Sequence, residues 1–382
     1  MDRQKVISFG RGVPATEAIT PVRKEYWSLA GHINNEHEDD PFHYAVPEVS
    51  DFGGFVPLKF MLADMFNYPL DPKKHVIVGN GGEEIIGFLF EALKPGFIVF
   101  EEFSYDRAIK RASRLGHTPY GVRLTENGLD TKELDSALDR NEFRGVYHIV
   151  YSSNPTGVCA DPENVRECAR ICKKHKKPYI CDVAYYDARY DGQRNPLPNF
   201  NDPVYDYTCF VGSFSKTLSP GAKCGFALLP KALMNTQPII DDARLNPNYP
   251  TQVIYYEMIK NGFYGKHQEF LRNLYNPKRE AINSAFNQYL PGSRFPAIPG
   301  GFFRVHVFEN VEEKAFISQA ANFDVEIFSA MSCIPTNLKP EYKNSVPVRF
   351  AYPRLEADDI RSGISISLNS WKIVQNFKAC RS

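Results

Sequence analysis

Neither sign of charge predominates in this chain: Lys plus Arg and Asp plus Glu both number 45, so the formal net charge is zero. That balance offers no basic surface for nucleic acid and no cationic face for an anionic membrane. No uninterrupted apolar stretch approaches bilayer-spanning length, and the amino-terminal MDRQKVISFGRG lacks the apolar run of a secretory signal. A cytoplasmic protein with neither nucleic-acid nor membrane partners is expected. The eight cysteines form no Cys-x-x-Cys pair and no compact framework, so they read as reduced thiols. Cys168 and Cys172 lie one helical turn apart, but no histidine pair stands near them, and His43, His148 and His175 have no metal spacing. No metal is expected. Internal repeats, low-complexity tracts and an attached helix-turn-helix segment are also missing.

What is there is enough apolar material, 43% of 382 residues, for a substantial core in two domains or in one large and one smaller lobe. The middle of the chain alternates short apolar runs with helix-length amphipathic segments, the pattern of a mostly parallel sheet covered by helices. Strands are expected at His75 to Val78, Phe97 to Phe100, Gly145 to Tyr151, Pro178 to Val183, Tyr207 to Gly212 and Cys224 to Leu229. Between them, helices are expected at Glu83 to Leu93, Tyr105 to Leu115, Thr131 to Asp139 and Pro162 to Lys177, the last with proline near its start and lysines in its final turn. After Pro250 long helical stretches take over, with Gly265 to Leu290 as a connecting helix. A smaller mixed region follows, with strands at Phe302 to Val307, Val325 to Phe328 and Val346 to Phe350 and a helix from Glu356 to Leu368.

Chemistry concentrates in the run Ser213-Phe214-Ser215-Lys216-Thr217-Leu218-Ser219-Pro220-Gly221-Ala222-Lys223, which places one lysine in a hydroxyl-rich turn between two strand-like runs. A lysine amine becomes a useful nucleophile toward an aldehyde when burial and a neighbouring cation such as Lys223 lower its pKa. The serines supply donors and the Pro-Gly pair turns the backbone, so lysine, phosphate donors and turn together suggest pyridoxal phosphate (PLP) held as a Schiff base. An isolated Ser-x-Ser-Lys is more often a solvated loop, so the neighbouring segments matter. Asn154-Pro155-Thr156-Gly157 follows a buried strand, at the carboxyl edge where open α/β sheets bind ligands. Asp182 ends another apolar strand, and an acid there needs a cationic partner or caps the next element. Gly79-Asn80-Gly81-Gly82 precedes a helix, where backbone N–H groups cap the helix or meet an anion. Arg349 lies between apolar neighbours, either in a structural ion pair or gripping a carboxylate.

In this order the segments resemble the fold type I PLP enzymes, specifically the class I/II aminotransferases, from Gly12 to the neighbourhood of Arg349. The resemblance implies an α/β fold: a large PLP-binding domain, residues 41–275, with a mostly parallel seven-stranded sheet flanked by helices, and a smaller α+β domain built from residues 1–40 and 276–382. It also implies roles. Lys216 carries the cofactor and serves as base, Asp182 partners the pyridine nitrogen, and Asn154 and Tyr185 bond the phenolic oxygen, with Tyr186 the competing tyrosine. Tyr105 stacks on the ring. Gly81, Gly82, Ser213, Ser215 and Lys223 cradle the phosphate, which Tyr44 reaches from the neighbouring subunit of a homodimer. Arg349 and Gly12 hold the substrate carboxylate, beside Asn154.

Gly300-Gly301-Phe302-Phe303 further resembles the aminoadipate and kynurenine aminotransferase branch. Three positions depart from the family pattern. Lys223 stands where an arginine is usual, Glu83 where a small or neutral residue is usual, and Ser329-Ala330-Met331-Ser332 where a Pro-Gly pair is usual. The function implied is transfer of an amino group from an α-amino acid to a 2-oxo acid. A lyase or synthase on the same scaffold would use the same cofactor shell, and a catalytically silent relative would be expected to have lost Lys216.

Overall fold

The computed structural model describes residues 5–32, 50–51, 53–236 and 248–379. The chain opens with a two-residue strand, β1 (Ile7–Ser8), and a helix, α1 (Thr16–Ala30). After α2 (Val56–Met65) comes an alternating series: β2 (Val76–Gly79), α3 (Gly82–Glu91), β3 (Phe97–Glu101), α4 (Asp106–Arg114), β4 (Thr118–Val122) and α5 (Thr131–Leu138). It continues through β5 (Phe143–Ile149), α6 (Pro162–Lys174), β6 (Tyr179–Asp182), β7 (Thr208–Ser213) and β8 (Gly225–Leu228).

Local chemistry starts these helices where they start. Asp130 Oδ1 accepts from the N–H groups of Lys132 and Glu133 at 3.0 Å ahead of α5. Asp161 Oδ1 does the same for Glu163 at 2.8 Å ahead of α6, whose first residue is proline.

The alternating strands form one seven-stranded sheet in the order β2-β8-β7-β6-β5-β3-β4. Neighbours from β7 to β4 are parallel, and β8 runs antiparallel to both β7 and β2. Side chains alternate between two cores. Val76, Val78, Val99 and Cys181 face one, while Ile77, Ile98, Phe100 and Ile180 face the other. Each such side chain removed from water stabilises the fold by roughly 1.5–3 kcal/mol. Burial on both faces explains why these strands read as continuous apolar runs. The carboxyl ends of β3, β5, β6 and β7 share one edge, which is where their loops can meet.

A second, smaller core lies beyond α7 (Tyr249–Lys260). The helix α8 (Phe263–Tyr289) runs from one to the other: Leu271 and Tyr275 pack on the large sheet, Ile282 and Phe286 in the smaller core. There β9 (Phe303–Glu309) pairs antiparallel with a later strand, and α9 (Glu313–Ala321) is followed by β10 (Val325–Glu326) and β11 (Phe328–Ser329). The strand β12 (Ser345–Ala351) and helix α10 (Ala357–Ala379) close the chain. Ile7 and Ser8 of β1 lie in parallel register with Val325 and Glu326, and Phe9 packs edge-on to Phe350 at 5.0 Å. Ala15, Ala18 and Val22, only a few residues later, pack against the cores of the large sheet.

Several elements differ from the sequence reading, which had no helix at α2 or α9. The edge strand β4 was not expected, because it carries Pro119 and Gly121; proline is tolerated only where no ladder N–H is needed. Helix α1 was hidden by Pro21 in its interior. Val325 to Phe328 is two strands, with Val325 and Glu326 on β1 and Phe328 on β12.

Where the two cores meet, Glu102 is fully buried and accepts from Arg294 Nη1 at 2.8 Å, from Arg294 Nη2 and Tyr342 Oη at 2.5 Å, and from Leu124 N at 3.2 Å. Burial alone would raise its pKa, but the Arg294 guanidinium and Tyr342 hydroxyl hold it below the ordinary carboxylate value. Arg294→Met removes the two-pronged partner and leaves Arg123, at 3.8 Å, as the nearest cation to that carboxylate, which should cost roughly 3 kcal/mol in urea denaturation at pH 7. A depressed folded-state pKa stabilises above the unfolded pKa and is lost as pH falls through the folded one. The difference between wild type and variant should therefore hold at neutral pH and shrink on acidification below the carboxylate range.

Candidate active site

The lysine turn begins where β7 ends. Phe214 N–H donates to Cys224 O at 3.1 Å, Leu218 N–H to Phe214 O at 2.7 Å, and the Phe214 ring packs edge-on against Tyr255 and Tyr264. This apolar anchor turns Lys216 upward over the sheet edge. Its Nζ donates to Gly12 O at 3.3 Å and lies 5.4 Å from the centre of the Tyr185 ring and 5.9 Å from that of Phe302. Burial lowers the Lys216 pKa to about 8, with Lys223, Arg107 and Arg349 pushing the same way and Asp182 opposing them.

Asp182 ends β6 with its carboxylate buried. Oδ2 accepts from Tyr147 Oη at 2.6 Å and Oδ1 from Ala184 N at 2.9 Å. Burial nevertheless raises its pKa, against the Tyr147 and Ala184 hydrogen bonds and the charge of Lys216. Tyr185 is buried too, and its hydroxyl has no hydrogen-bond partner among the described residues. Asn154, on the loop after β5, likewise leaves its side-chain Oδ1 buried and unpaired. An amide can turn either end toward a ligand. Tyr105 stands at the amino end of α4, half-buried, with Glu83, Arg107 and Asp182 acting on its hydroxyl.

The phosphate candidates converge at the amino end of α3. Gly81 has φ +101°, a conformation suited to glycine, and a Cβ built on it would lie 4.0 Å from Lys223 Cδ. A Cβ on Gly82 would lie 3.5 Å from Ser213 Cβ, and one on Gly225 would strike Gly82 N at 2.4 Å. Backbone therefore approaches backbone with no side chain between. Ser213 Oγ donates to Ser215 Oγ at 3.0 Å and accepts from Ser215 N at 3.2 Å. Glu83, the acid beside this cradle, has its carboxylate 3.4 Å from Arg107 Nη1, both side chains partly in solvent.

Arg349 reaches the site from β12. Its Nη2 donates to Gly10 O at 3.1 Å, its guanidinium carbon lies 5.4 Å from the Phe303 ring centre, and its buried Nε has no partner. Gly12 presses on the same ring: a Cβ there would sit 1.8 Å from Phe303 Cζ. Lys216, Gly12, Phe303 and Arg349 thus form one continuous contact. Tyr44 lies outside the described residues.

Sequence reasoning missed Tyr147, Gly10, Phe303 and Arg107 as members of this cluster. Tyr147 had a signal, a hydroxyl inside an otherwise apolar strand that must find a partner. The roles of Gly10 and Arg107 depend on contacts between distant segments.

Three buried polar atoms without partners, an acid in need of a cation, a desolvated lysine and a glycine-lined helix terminus fit a phosphorylated pyridine aldehyde. With the helix-flanked sheet, they define the class as a PLP-dependent enzyme of fold type I. The profile of the family "Aminotransferase class I and II" matches residues 46–334, and the chain belongs to that family. It is an aminotransferase, moving an amino group from an α-amino acid to a 2-oxo acid with PLP as cofactor.

The chain is 24% identical over 384 residues to aromatic-amino-acid aminotransferase 1 of Thermococcus litoralis, covering 95% of this chain and 87% of that one. It is 26% identical over 309 residues to 2-aminoadipate transaminase of Thermus thermophilus, covering 79% and 75%. In fold it matches the multiple substrate aminotransferase of Thermococcus profundus with a TM-score of 0.86 at 21% identity, covering 98% and 93% of the two chains.

The lowered pKa of Lys216 carries a stability consequence. Between its folded value near 8 and the ordinary lysine value of 10.5, the unfolded chain binds more protons, so stability rises with pH across that window. In PLP-free protein, Lys216→Met should raise Tm at pH 7, and the gain should shrink toward zero as pH approaches 10.5. Calorimetry across that range checks both the sign and the window.

Proposed function

We propose that Lys216 is the PLP-bearing lysine and the base of the transamination, and that the residues around it divide the remaining tasks. The observation that carries this reading is the meeting of Lys216 Nζ with Gly12 O, beside the unpartnered Tyr185 hydroxyl and the Arg349 guanidinium. When bound, PLP supplies an electron-withdrawing ring that stabilises negative charge developing at the substrate Cα.

Asp182, fixed by Tyr147 and Ala184, holds a proton on the ring nitrogen. Asn154 and Tyr185 bond the phenolic oxygen, and Tyr105 covers one ring face. The N–H groups of Gly81 and Gly82 at the positive end of α3 bind the phosphate with Ser213, Ser215 and Lys223. Lys223 gives a point charge rather than an arginine's two-pronged grip. Arg349 clamps the substrate carboxylate through a charge-assisted pair, and the Gly12 and Asn154 backbone and amide groups complete that end of the pocket. That grip would present the substrate Cα–H to Lys216 Nζ, which would accept its proton as the base. A pKa near 8 leaves a useful fraction of the amine unprotonated at neutral pH.

The same reading divides the chain into a large PLP-binding domain of residues 41–275 and a smaller one of residues 1–40 and 276–382, and makes the enzyme a cytoplasmic homodimer in which Tyr44 reaches the neighbouring subunit's phosphate. Supporting the dimer, Trp27 is 69% and Phe60 44% exposed.

Lys216→Ala should abolish turnover, and borohydride treatment of the wild-type enzyme followed by peptide mapping should find PLP attached to Lys216. Attachment at Lys223 would refute the assignment. Arg349→Lys should weaken amino-acid binding by roughly 1.5–3 kcal/mol, read as KM. Turnover should require a 2-oxo acid acceptor, and sustained product release without one would overturn the transamination. Sedimentation of the active enzyme as a monomer would remove the dimer.

A further inference from the structure

One buried acid takes no part in the scheme above. Glu101, the last residue of β3, is fully shielded from solvent. Its Oε2 accepts from Ile149 N at 3.1 Å and from Ser104 Oγ at 3.3 Å, and its Oε1 pairs with Ser153 Oγ at 2.9 Å. Ser104 and Ser153 are themselves fully buried. Ser104 immediately precedes Tyr105, Ser153 immediately precedes Asn154, and Ile149 is the register partner of Asp182. A single carboxyl group is therefore one residue, or one rung of the sheet, from each of three groups assigned to the ring.

We propose that Glu101 is a positioning residue, the tie that sets the Tyr105 loop, the Asn154 loop and the Asp182 strand at fixed spacing around the PLP ring. The proposal rests on the ring placement argued above.

Geometry also decides the charge on this tie. Among the described residues its only ionisable contact of opposite sign is His148 Nε2 at 3.9 Å, and burial lowers that imidazole's pKa to about 3, so it stays neutral while its Nδ1 meets Tyr179 Oη at 2.7 Å. Asp182 adds a like charge, and Tyr147 contributes only a neutral hydroxyl. An ionised, unpaired carboxylate in such a place is costly. Burial accordingly pushes the Glu101 pKa up to about 8. At neutral pH the group keeps its proton; Ser153 Oγ donates to Oε1, and Oε2 accepts from Ile149 N and Ser104 Oγ. A neutral tie leaves Asp182 as the lone negative charge beneath the ring.

The test uses the PLP-loaded enzyme and reads the PLP dissociation constant by equilibrium dialysis, together with kcat and KM. Glu101→Gln keeps the shape and the neutrality of the protonated acid, and the Ser153 hydroxyl can turn to accept from the amide, so PLP affinity and kcat should stay within about threefold of wild type. Glu101→Leu should weaken PLP binding at least tenfold and lower kcat at least tenfold with KM nearly unchanged, because Arg349 still binds substrate. Should the leucine variant fail to fold, the Ser104→Ala/Ser153→Ala double variant releases both loops while keeping the carboxyl, and the same split is expected. Equal losses in Glu101→Gln and Glu101→Leu, or unchanged constants in either the leucine or the double variant, would overturn the proposal. Asn154→Ala separates the two readings. If it weakens PLP binding while Glu101→Leu does not, Glu101 alone is refuted; if it leaves PLP binding unchanged, the ring placement fails and the tie fails with it.

Discussion

Everything in this site depends on keeping two opposite charges in a place with little water. Asp182 is buried at the end of β6, and the desolvation that raises its pKa is the reason a protonated ring nitrogen would be held there firmly. The same loss of water lowers the pKa of Lys216 to about 8, with Asp182 opposing it and the cationic neighbours Lys223, Arg107 and Arg349 adding to it. On a solvated loop Lys216 would keep an ordinary amine pKa and Asp182 would need no partner. Burial shifts both groups, and the phenylalanines and tyrosines around them contribute to that burial.

Burial of this kind is assembled from pieces far apart in sequence. Gly10 and Gly12 come from the amino end of the chain, Phe303 and Arg349 from the smaller core, and Lys216 from the edge of the large sheet. Two contacts hold the pieces in register. The parallel pair β1–β10 fastens the amino-terminal strand beside the smaller core, and the Glu102–Arg294–Tyr342 cluster fastens that core to the end of β3. Gly12 is required where it stands because the Phe303 ring fills the space a Cβ would occupy.

The departures from the family pattern look less isolated once placed in space. Glu83 brings a negative charge to the amino end of α3, where Arg107 meets it at 3.4 Å. Lys223 has the side-chain stem nearest Gly81. A charge lost in bidentate form at one position is thus accompanied by another cation two residues beyond Tyr105. In Ser329-Ala330-Met331-Ser332, the Pro-Gly pair is replaced by the end of β11 and a short 3-10 turn at Met331–Cys333, and Ser104 N–H donates to Cys333 O at 2.8 Å. That bond ties the altered segment to the loop of Tyr105.

Much of the fold was legible in the linear order of residues, because a strand buried on both faces must be apolar throughout and a helix covering it must be apolar on one side. That is why β5, β6 and β7, and the turns carrying Asn154, Asp182 and Lys216, could be read directly. The edge strand β4 and the proline-bearing helix α1 could not, since each owes its conformation to a neighbour rather than to its own pattern. Residue identity and position along a strand determined which groups end at the sheet's carboxyl edge. Only the tertiary structure decided that Gly12 O meets Lys216, that Tyr147 holds Asp182, and that Glu101 touches the residues preceding both Tyr105 and Asn154. Apart from the local bond between Glu101 and Ser104, these contacts join segments tens to hundreds of residues apart, and their energies come from desolvation and hydrogen-bond geometry, quantities that exist only once the chain has closed around them.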